Sequence, residues 1–279
     1  MKDKFEKLFK DYEKLIGKTE KDILVNFKEA LTAAYELLGE HYRKFEEDGQ
    51  LTYSEMAKYN RLEKFFYQLD LIINEGYKKS YKGIENALNE TYLTSYNGMK
   101  DIVELTVNKE LIPIVKEEVM QRALTNDISG LRWTQRMNLH RDTAVLKIRE
   151  TVAQGLHQGE TYSTMAKRLN NSLSKQVVNP MRIVRTESHR VFSEARKDSL
   201  DKAKDKVKMT KTWITARDER VRGRNPKDVM DHISMDGVTI PYNDDFQLPD
   251  GAKGFAPGQI GDYNDINCRC DWIIDFIED

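Results

Sequence analysis

Cys268 and Cys270 stand one residue apart near the end of the sequence, and they are its only two cysteines. They close an ordered constellation of Trp213, Asp218, Arg220, Arg222, His232, Asp236-Gly237, Pro257 and Asn267-Cys268-Arg269-Cys270. Thiolate and imidazole are good ligands for a soft or borderline cation such as zinc. His232, Cys268 and Cys270 offer three such donors, and Asp218, Asp236 or a water would complete the shell. In an extended strand, residues i and i+2 point to one face, so both sulfurs would face the same way. The same spacing also suits two small buried residues in a sheet core, because free Cys is among the most buried residue types. A third option is a thiolate–imidazolium pair between a cysteine and His232 for acyl hydrolysis. No oxyanion-hole loop or local cysteine-protease signature accompanies it.

A second group lies just upstream. Arg217, Arg220, Arg222 and Arg224 fall within one short run of mixed charge that also holds Asp218 and Glu219. Guanidinium matches phosphate geometry, so these arginines are candidates for DNA contact. The alternative is a local salt-bridge cluster that fixes the loop. Arg185-Thr186-Glu187 is superficially similar to the arginine and acidic residues of ADP-ribosyltransferases, but three residues on a helix carry little weight.

The elements that position these residues follow from periodicity. Phe5, Leu8, Phe9, Tyr12, Leu15 and Ile16 keep the spacing of one helical face. Ile23 to Leu38 does the same, with Thr19 as its expected cap. Thr52-Tyr53-Ser54-Glu55 has the form of a capping box ahead of Tyr59, Leu62, Phe66, Leu69 and Ile73. Ile84, Leu88 and Tyr92 continue the pattern, and Pro113 is expected to begin or bend a further helix. Residues 126–130 break it. A helix then runs from Thr134 to His157, with Trp133 anchoring its start and Gly155 and Gly159 placed to end it. A shorter helix is expected from Thr161 to Leu169, a polar connector from Asn170 to Pro180, and a helix from Met181 to Asp205. Strands are expected at Met209–Ala216, Val238–Ile240 and Cys270–Ile277. The loop between Pro241 and Asp265 is too long for a plain connector, so it is expected to wrap the surface or cover a site. The fold class is therefore mainly α with a C-terminal α+β module: a long N-terminal helical array, then a small sheet packed on a helix. The expected division is a helical region 1–125 and a second region 126–279, itself a helical lead-in 126–180 and an α+β module 181–279.

Charge is nearly balanced, 45 basic against 46 acidic residues, which gives no whole-molecule attraction to nucleic acid or anionic membrane. Locally it is segregated. Residues 181–235 carry 15 basic and 9 acidic residues; residues 236–279 carry 2 and 10. No stretch approaches the roughly 20 apolar residues of a membrane helix, and no apolar run follows the first residues as in a secretory signal. Two cysteines make no disulfide framework, and a bridge between Cys268 and Cys270 would be strained, so synthesis in a reducing cytoplasm is expected.

The order of these motifs resembles a known family. The Arg-Thr-Glu helix at 185–187, Trp213 before the Ala216-Arg217-Asp218 run, His232, Asp236-Gly237, Pro257 and the closing Asn-Cys-Arg-Cys are similar to the head morphogenesis domain of Mu F-like minor head proteins of phages. Gly130-Leu131-Arg132-Trp133, Gly159 and the helix after Ser163 are similar to its helical lead-in. The likeness spans about residues 125–279; the first 120 residues match nothing nameable by motif. The resemblance implies a virion component of a tailed phage or prophage, built into the capsid interior near the portal after assembly in the host cytoplasm. It implies the portal protein as partner, with scaffold or major capsid protein and non-specific phage DNA as further candidates, and no membrane. It implies a role in head morphogenesis and DNA packaging or ejection, and no enzymatic activity; the residues themselves, not the resemblance, make a structural zinc at His232, Cys268 and Cys270 the one candidate cofactor. Some relatives carry fused toxin domains; none is expected after the last strand here. The competing reading is an enzyme, a cysteine hydrolase, transferase or toxin-like protein, using Asp218, His232 and Cys268.

Overall fold

Apolar residues recur without interruption at Phe5, Leu8, Ile16, Ile23, Phe27, Ala30, Ala34, Leu37, Leu38 and Tyr42, all buried, and they form one helix, α1 (Lys2–Phe45). Thr19 is not a cap; it is buried inside α1, because the stripe runs straight through it. Gly17 sits in the same helix at a cost of only about 1 kcal/mol. The computed structural model describes residues 2–127, 130–219 and 221–277.

Thr52 does cap a helix, α2 (Tyr53–Ala57): its Oγ1 accepts from the Glu55 N–H at 3.3 Å. The chain then turns at Tyr59 and Asn60, both at positive φ, before α3 (Arg61–Val107). The expected face beginning at Tyr59 is therefore wrong at its start. Tyr59 is 81% exposed, and the buried stripe runs through Phe65, Leu69, Ile73 and Tyr77. Pro113 neither begins nor bends a helix. It lies in an irregular segment, its carbonyl accepts from the Tyr96 hydroxyl at 3.0 Å, and α4 (Glu117–Thr125) starts four residues later. Of the expected break at 126–130, Ile128 and Ser129 lie outside the described residues.

Trp133 opens α5 (Trp133–His157) and is buried. Gly159, at φ +60°, follows the end of α5, but Gly155 lies within the helix. A Cβ on Gly155 would fall 2.5 Å from the Met165 methyl, so the glycine permits a close approach and does not terminate the helix. The expected connector 170–180 is helical. α6 (Tyr162–Gln176) continues through Asn170 because Leu169 and Leu173 extend the buried face begun by Met165. Pro180 sits in the first turn of α7 (Val178–Leu200), where a missing N–H breaks no helical bond.

The described fold has two compact units, neither contiguous in sequence. One comprises residues 18–85 and 134–183; the other comprises 1–17, 86–133 and 184–279. In the first, the Tyr77 ring packs on Phe27, Arg149 forms an ion pair with Asp70, and the Tyr42 hydroxyl donates to the Glu160 carbonyl.

The second unit holds the sheet. Strands β1 (Met209–Ile214), β2 (Thr239–Pro241) and β5 (Asp271–Phe276) form an antiparallel sheet in the order β2-β1-β5. Trp213 faces Trp272 across the β1–β5 ladder, and both are fully buried. The loop expected at 241–265 holds a two-residue hairpin, β3 (Phe246–Gln247) with β4 (Lys253–Gly254), and one short turn of helix, α8 (Asp262–Asp265). From Val184 to Leu200, α7 is buried on nearly all sides. Among the described residues, no helix is long and apolar enough to cross a membrane.

Lys211 is a buried polar residue on the inner face of β1. Its Nζ lies 3.2 Å from the Phe255 ring centre and within 6 Å of the rings of Phe246 and Tyr242. The rings favour the cation, but burial pushes its pKa down to about 7. The unfolded chain, with a lysine near about 10.4, then holds the extra proton between those values. The resulting penalty is complete below the folded pKa and is relieved as pH rises toward the unfolded one. Lys211→Met should therefore be more stable than the parent near about pH 6, with the difference shrinking by about pH 10. Urea unfolding across that range checks this; a pH-independent difference contradicts it.

Candidate functional site

The fold brings His232, Cys268 and Cys270 together. His232 precedes the 3-10 turn Ile233–Met235, and the cysteines lie just before β5. All three side chains are buried, and their donor atoms lie within 4.8 Å of one another. His232 Nδ1 is 3.6 Å from Cys268 Sγ and 3.5 Å from Cys270 Sγ. The Cys270 N–H donates to Cys268 Sγ at 3.4 Å. Around them pack Trp213, Met235, Phe246 and Leu248, with the Trp213 ring edge-on to the imidazole.

The other ring nitrogen is held by two residues of the long loop. His232 Nε2 lies 2.9 Å from Asn264 Oδ1, and Asn264 Nδ2 donates to Asp250 Oδ2 at 3.0 Å. An ionised carboxylate only accepts, so Asp250 fixes which way the Asn264 amide points. The amide oxygen must then accept from Nε2–H, and Nδ1 is the nitrogen aimed at the sulfurs. Hydrogen bonding by Cys270 and His232 holds the Cys268 thiol well below its ordinary range. Hydrogen bonding with Cys268, and then burial, push the Cys270 thiol up. Burial pulls His232 down, but its bonds to Cys268 and Asn264 more than offset this and raise it.

Asp218 is not part of this group; its carboxylate pairs with Arg269. Asp236 is not part of it either. Its carboxylate accepts from the Thr215 N–H at 2.8 Å and from Arg217 at 3.1 Å, which closes the turn after β1. Burial opposes ionisation of Asp236, but these donors hold its pKa below the usual value.

The arginine run divides. Arg222 turns inward, donating to the carbonyls of Asn264 and Ile266, while its own carbonyl accepts from the N–H groups of His232 and Ile233. Arg217 is largely exposed beside Asp236, and Arg224 lies 3.7 Å from Glu219. Arg220 lies outside the described residues. Thr186 and Glu187 are buried: the Thr186 hydroxyl accepts from the Asn267 N–H at 3.1 Å, and Glu187 pairs with Arg190 at 3.0 Å.

Sequence reasoning did not single out Asn264, Asp250 or His189. His189 Nε2 lies 2.7 Å from the Cys270 carbonyl and so ties α7 to the cysteine segment. Asn264 and Asp250 sit among many polar loop residues, and no spacing marks them. His189 was discoverable as a histidine on a helix four residues after Arg185, but nothing linear joins it to Cys270.

A helical region joined to a small sheet module with this buried Cys/His cluster matches a family model described as Phage Mu protein F like protein over residues 146–273. The chain is also 31% identical to the Minor head protein GP7 of Bacillus phage SPP1 over 267 residues, 95% of this chain and 84% of that protein. The chain belongs to the Mu F-like family of phage minor head proteins. The alignment takes in nearly all of the N-terminal helices, for which no motif had suggested a relative. A second relative is the NAD(+)--arginine ADP-ribosyltransferase EFV of Enterococcus faecalis, 23% identical over 161 residues, 57% of this chain and 31% of that protein. No solved structure matches the chain.

The division among the arginines is measurable. Arg222→Gln removes charge-assisted bonds to two carbonyls and should cost about 1.5–3 kcal/mol. Arg217→Gln and Arg224→Gln remove surface pairs and should each cost less than about 1 kcal/mol. Chemical denaturation of the three variants checks the order.

Proposed function

We propose that this protein is a minor head protein of a tailed phage or prophage that binds the portal and acts in head morphogenesis and DNA packaging or ejection. The observation that carries the reading is the 31% identity, over nearly the whole chain, to a minor head protein. Its place in this reading is the capsid interior near the portal, reached from the host cytoplasm during assembly. Scaffold or major capsid protein are further partners. The role is structural: of Arg185-Thr186-Glu187, the run that suggested a transferase, Arg185 is exposed, but Thr186 and Glu187 are buried and bonded within the fold. The similarity to EFV covers less than a third of that protein and does not favour an enzyme.

The helical region is the surface proposed for the portal. Leu24 and Val25 on α1 and Tyr67 and Leu71 on α3 are exposed apolar residues, and Tyr67 and Leu71 are one helical turn apart. Exposed side chains one turn apart are what a partner groove accepts from a helix. In co-expression with the portal protein, the full chain should be retained on tagged portal. Leu24→Lys/Val25→Glu and Tyr67→Lys/Leu71→Glu should together lower retention about tenfold or more, about 1.4 kcal/mol, with melting unchanged. Full retention by both variants overturns the assignment.

DNA contact is proposed to be weak and non-specific, through phosphate neutralisation by Arg217 and Arg224, each already beside a carboxylate. Gel shifts should show binding that weakens steeply with salt and falls when both are changed to Gln. Binding indifferent to salt contradicts this.

A further inference from the structure

We propose that His232, Cys268 and Cys270 form a zinc site that fastens the C-terminal segment to the loop before it. The two nitrogen–sulfur distances are already those of ligands around one ion. Zinc bonds of about 2.3 Å to sulfur and about 2.0–2.1 Å to nitrogen, opened to about 109°, place nitrogen and sulfur about 3.5–3.6 Å apart. His232 Nδ1 stands 3.6 and 3.5 Å from the two sulfurs.

The surroundings prepare each donor. Asp250 orients Asn264, and Asn264 takes the Nε2 proton, so the Nδ1 lone pair points at the sulfurs. Ligating histidines in metal sites have their second nitrogen held in this way. The Cys270 N–H donates to Cys268 Sγ, which favours its thiolate form. Without metal, the single Nδ1 lone pair can accept a hydrogen bond from only one of the two thiols that face it. A divalent ion serves all three donors. Two thiolates and a neutral imidazole around Zn2+ carry no net charge, the state that a buried site holds at least cost. Among the described residues, no fourth His, Cys, Asp or Glu donor joins the group, so water completes a tetrahedral shell.

The consequence is mechanical. The site joins the segment before β2 to the segment before β5, and through Asn264 and Asp250 it also holds the long loop. Loop 241–265 is anchored by buried Tyr242, Phe246, Leu248 and Ala256, and the ion would add folding energy to these contacts.

The test uses the full-length, untagged protein. Elemental analysis after gel filtration should find about one zinc per chain. Stripping with a strong chelator should lower the melting temperature by roughly 5 °C or more, and adding Zn2+ alone should restore it. Substitution with Co2+ should give sulfur-to-metal charge-transfer absorption, which a merely packed thiol cluster cannot give. In Cys268→Ser/Cys270→Ser, zinc and absorption should both be lost. If that variant does not fold, the stripping and cobalt measurements on the parent chain decide alone. A parent protein that is metal-free as purified and shows neither a melting shift with Zn2+ nor cobalt absorption overturns the proposal. So does zinc that persists undiminished in the folded double variant.

Discussion

The second unit depends on one constraint: α7 is buried on almost every side yet carries Thr186, Glu187, Ser188, His189, Arg190, Ser193, Arg196, Asp198 and Ser199 inside. A helix hydrophobic all round can be packed in several ways, but a helix with buried polar groups must be met by particular partners. Arg196 meets Asp271 and the Trp272 carbonyl, and its guanidinium lies over the rings of Phe192 and Trp272. Ser193 receives the Trp272 indole N–H at 2.9 Å, Asp198 receives the Tyr92 hydroxyl at 2.7 Å, and Arg190 reaches the Ala123 carbonyl at 2.7 Å. Each bond is specific to one neighbour, so together they fix α3, α4 and β5 around α7. Breaking one leaves a buried charge or amide unpaired, a larger loss than the bond's own net worth.

The Cys/His cluster inherits its position from this helix. His189 holds the Cys270 carbonyl, and Thr186 holds the Asn267 N–H, so both ends of the Asn-Cys-Arg-Cys segment are set by α7. β5 then pairs with β1, which places Trp213 against His232. Arg222 brings the loop of Asn264 and Ile266 to the same point. The cluster is thus assembled by bonds made elsewhere, and its members need little attraction of their own to meet.

Periodic features were legible in the sequence and contextual ones were not. The long helices, the three sheet strands and the meeting of His232 with the cysteines follow from spacing and chain order. The errors came where local chemistry outvoted a continuous apolar stripe. Thr19 resembles a cap, and Asn170 to Pro180 resembles a connector, yet buried contacts at Ile16, Ile23, Leu169 and Leu173 carry the helix through both. Asp218 reads as a ligand beside its arginines but pairs with Arg269, a residue 51 positions later that only the fold brings near. Asn264 and Asp250 were invisible because an amide orienting a histidine has no linear signature.

Charge segregation along the last hundred residues has the same structural meaning. As a linear pattern, a basic stretch before Asp236 and an acidic one after it suggest a local field available to DNA. In the fold the two stretches meet at three ion pairs. Arg196 pairs with Asp271, Arg217 with Asp236, and in the reverse sense Asp218 with Arg269. The β1–β5 ladder itself sets Thr210 beside Asp275 and Ile214 beside Asp271, so these ion pairs lie outside it and neutralise only part of the opposite charge. At the surface Lys202, Lys204, Lys206, Lys208, Arg217, Arg224 and Lys227 of the basic stretch remain exposed. A duplex would have to compete with carboxylates already in place, and attraction between exposed charges fades within about 10 Å at 0.1 M salt. The asymmetry read from the sequence thus divides: three ion pairs fasten the C-terminal segment within the module, and the exposed remainder leaves an attraction for phosphate that salt screens.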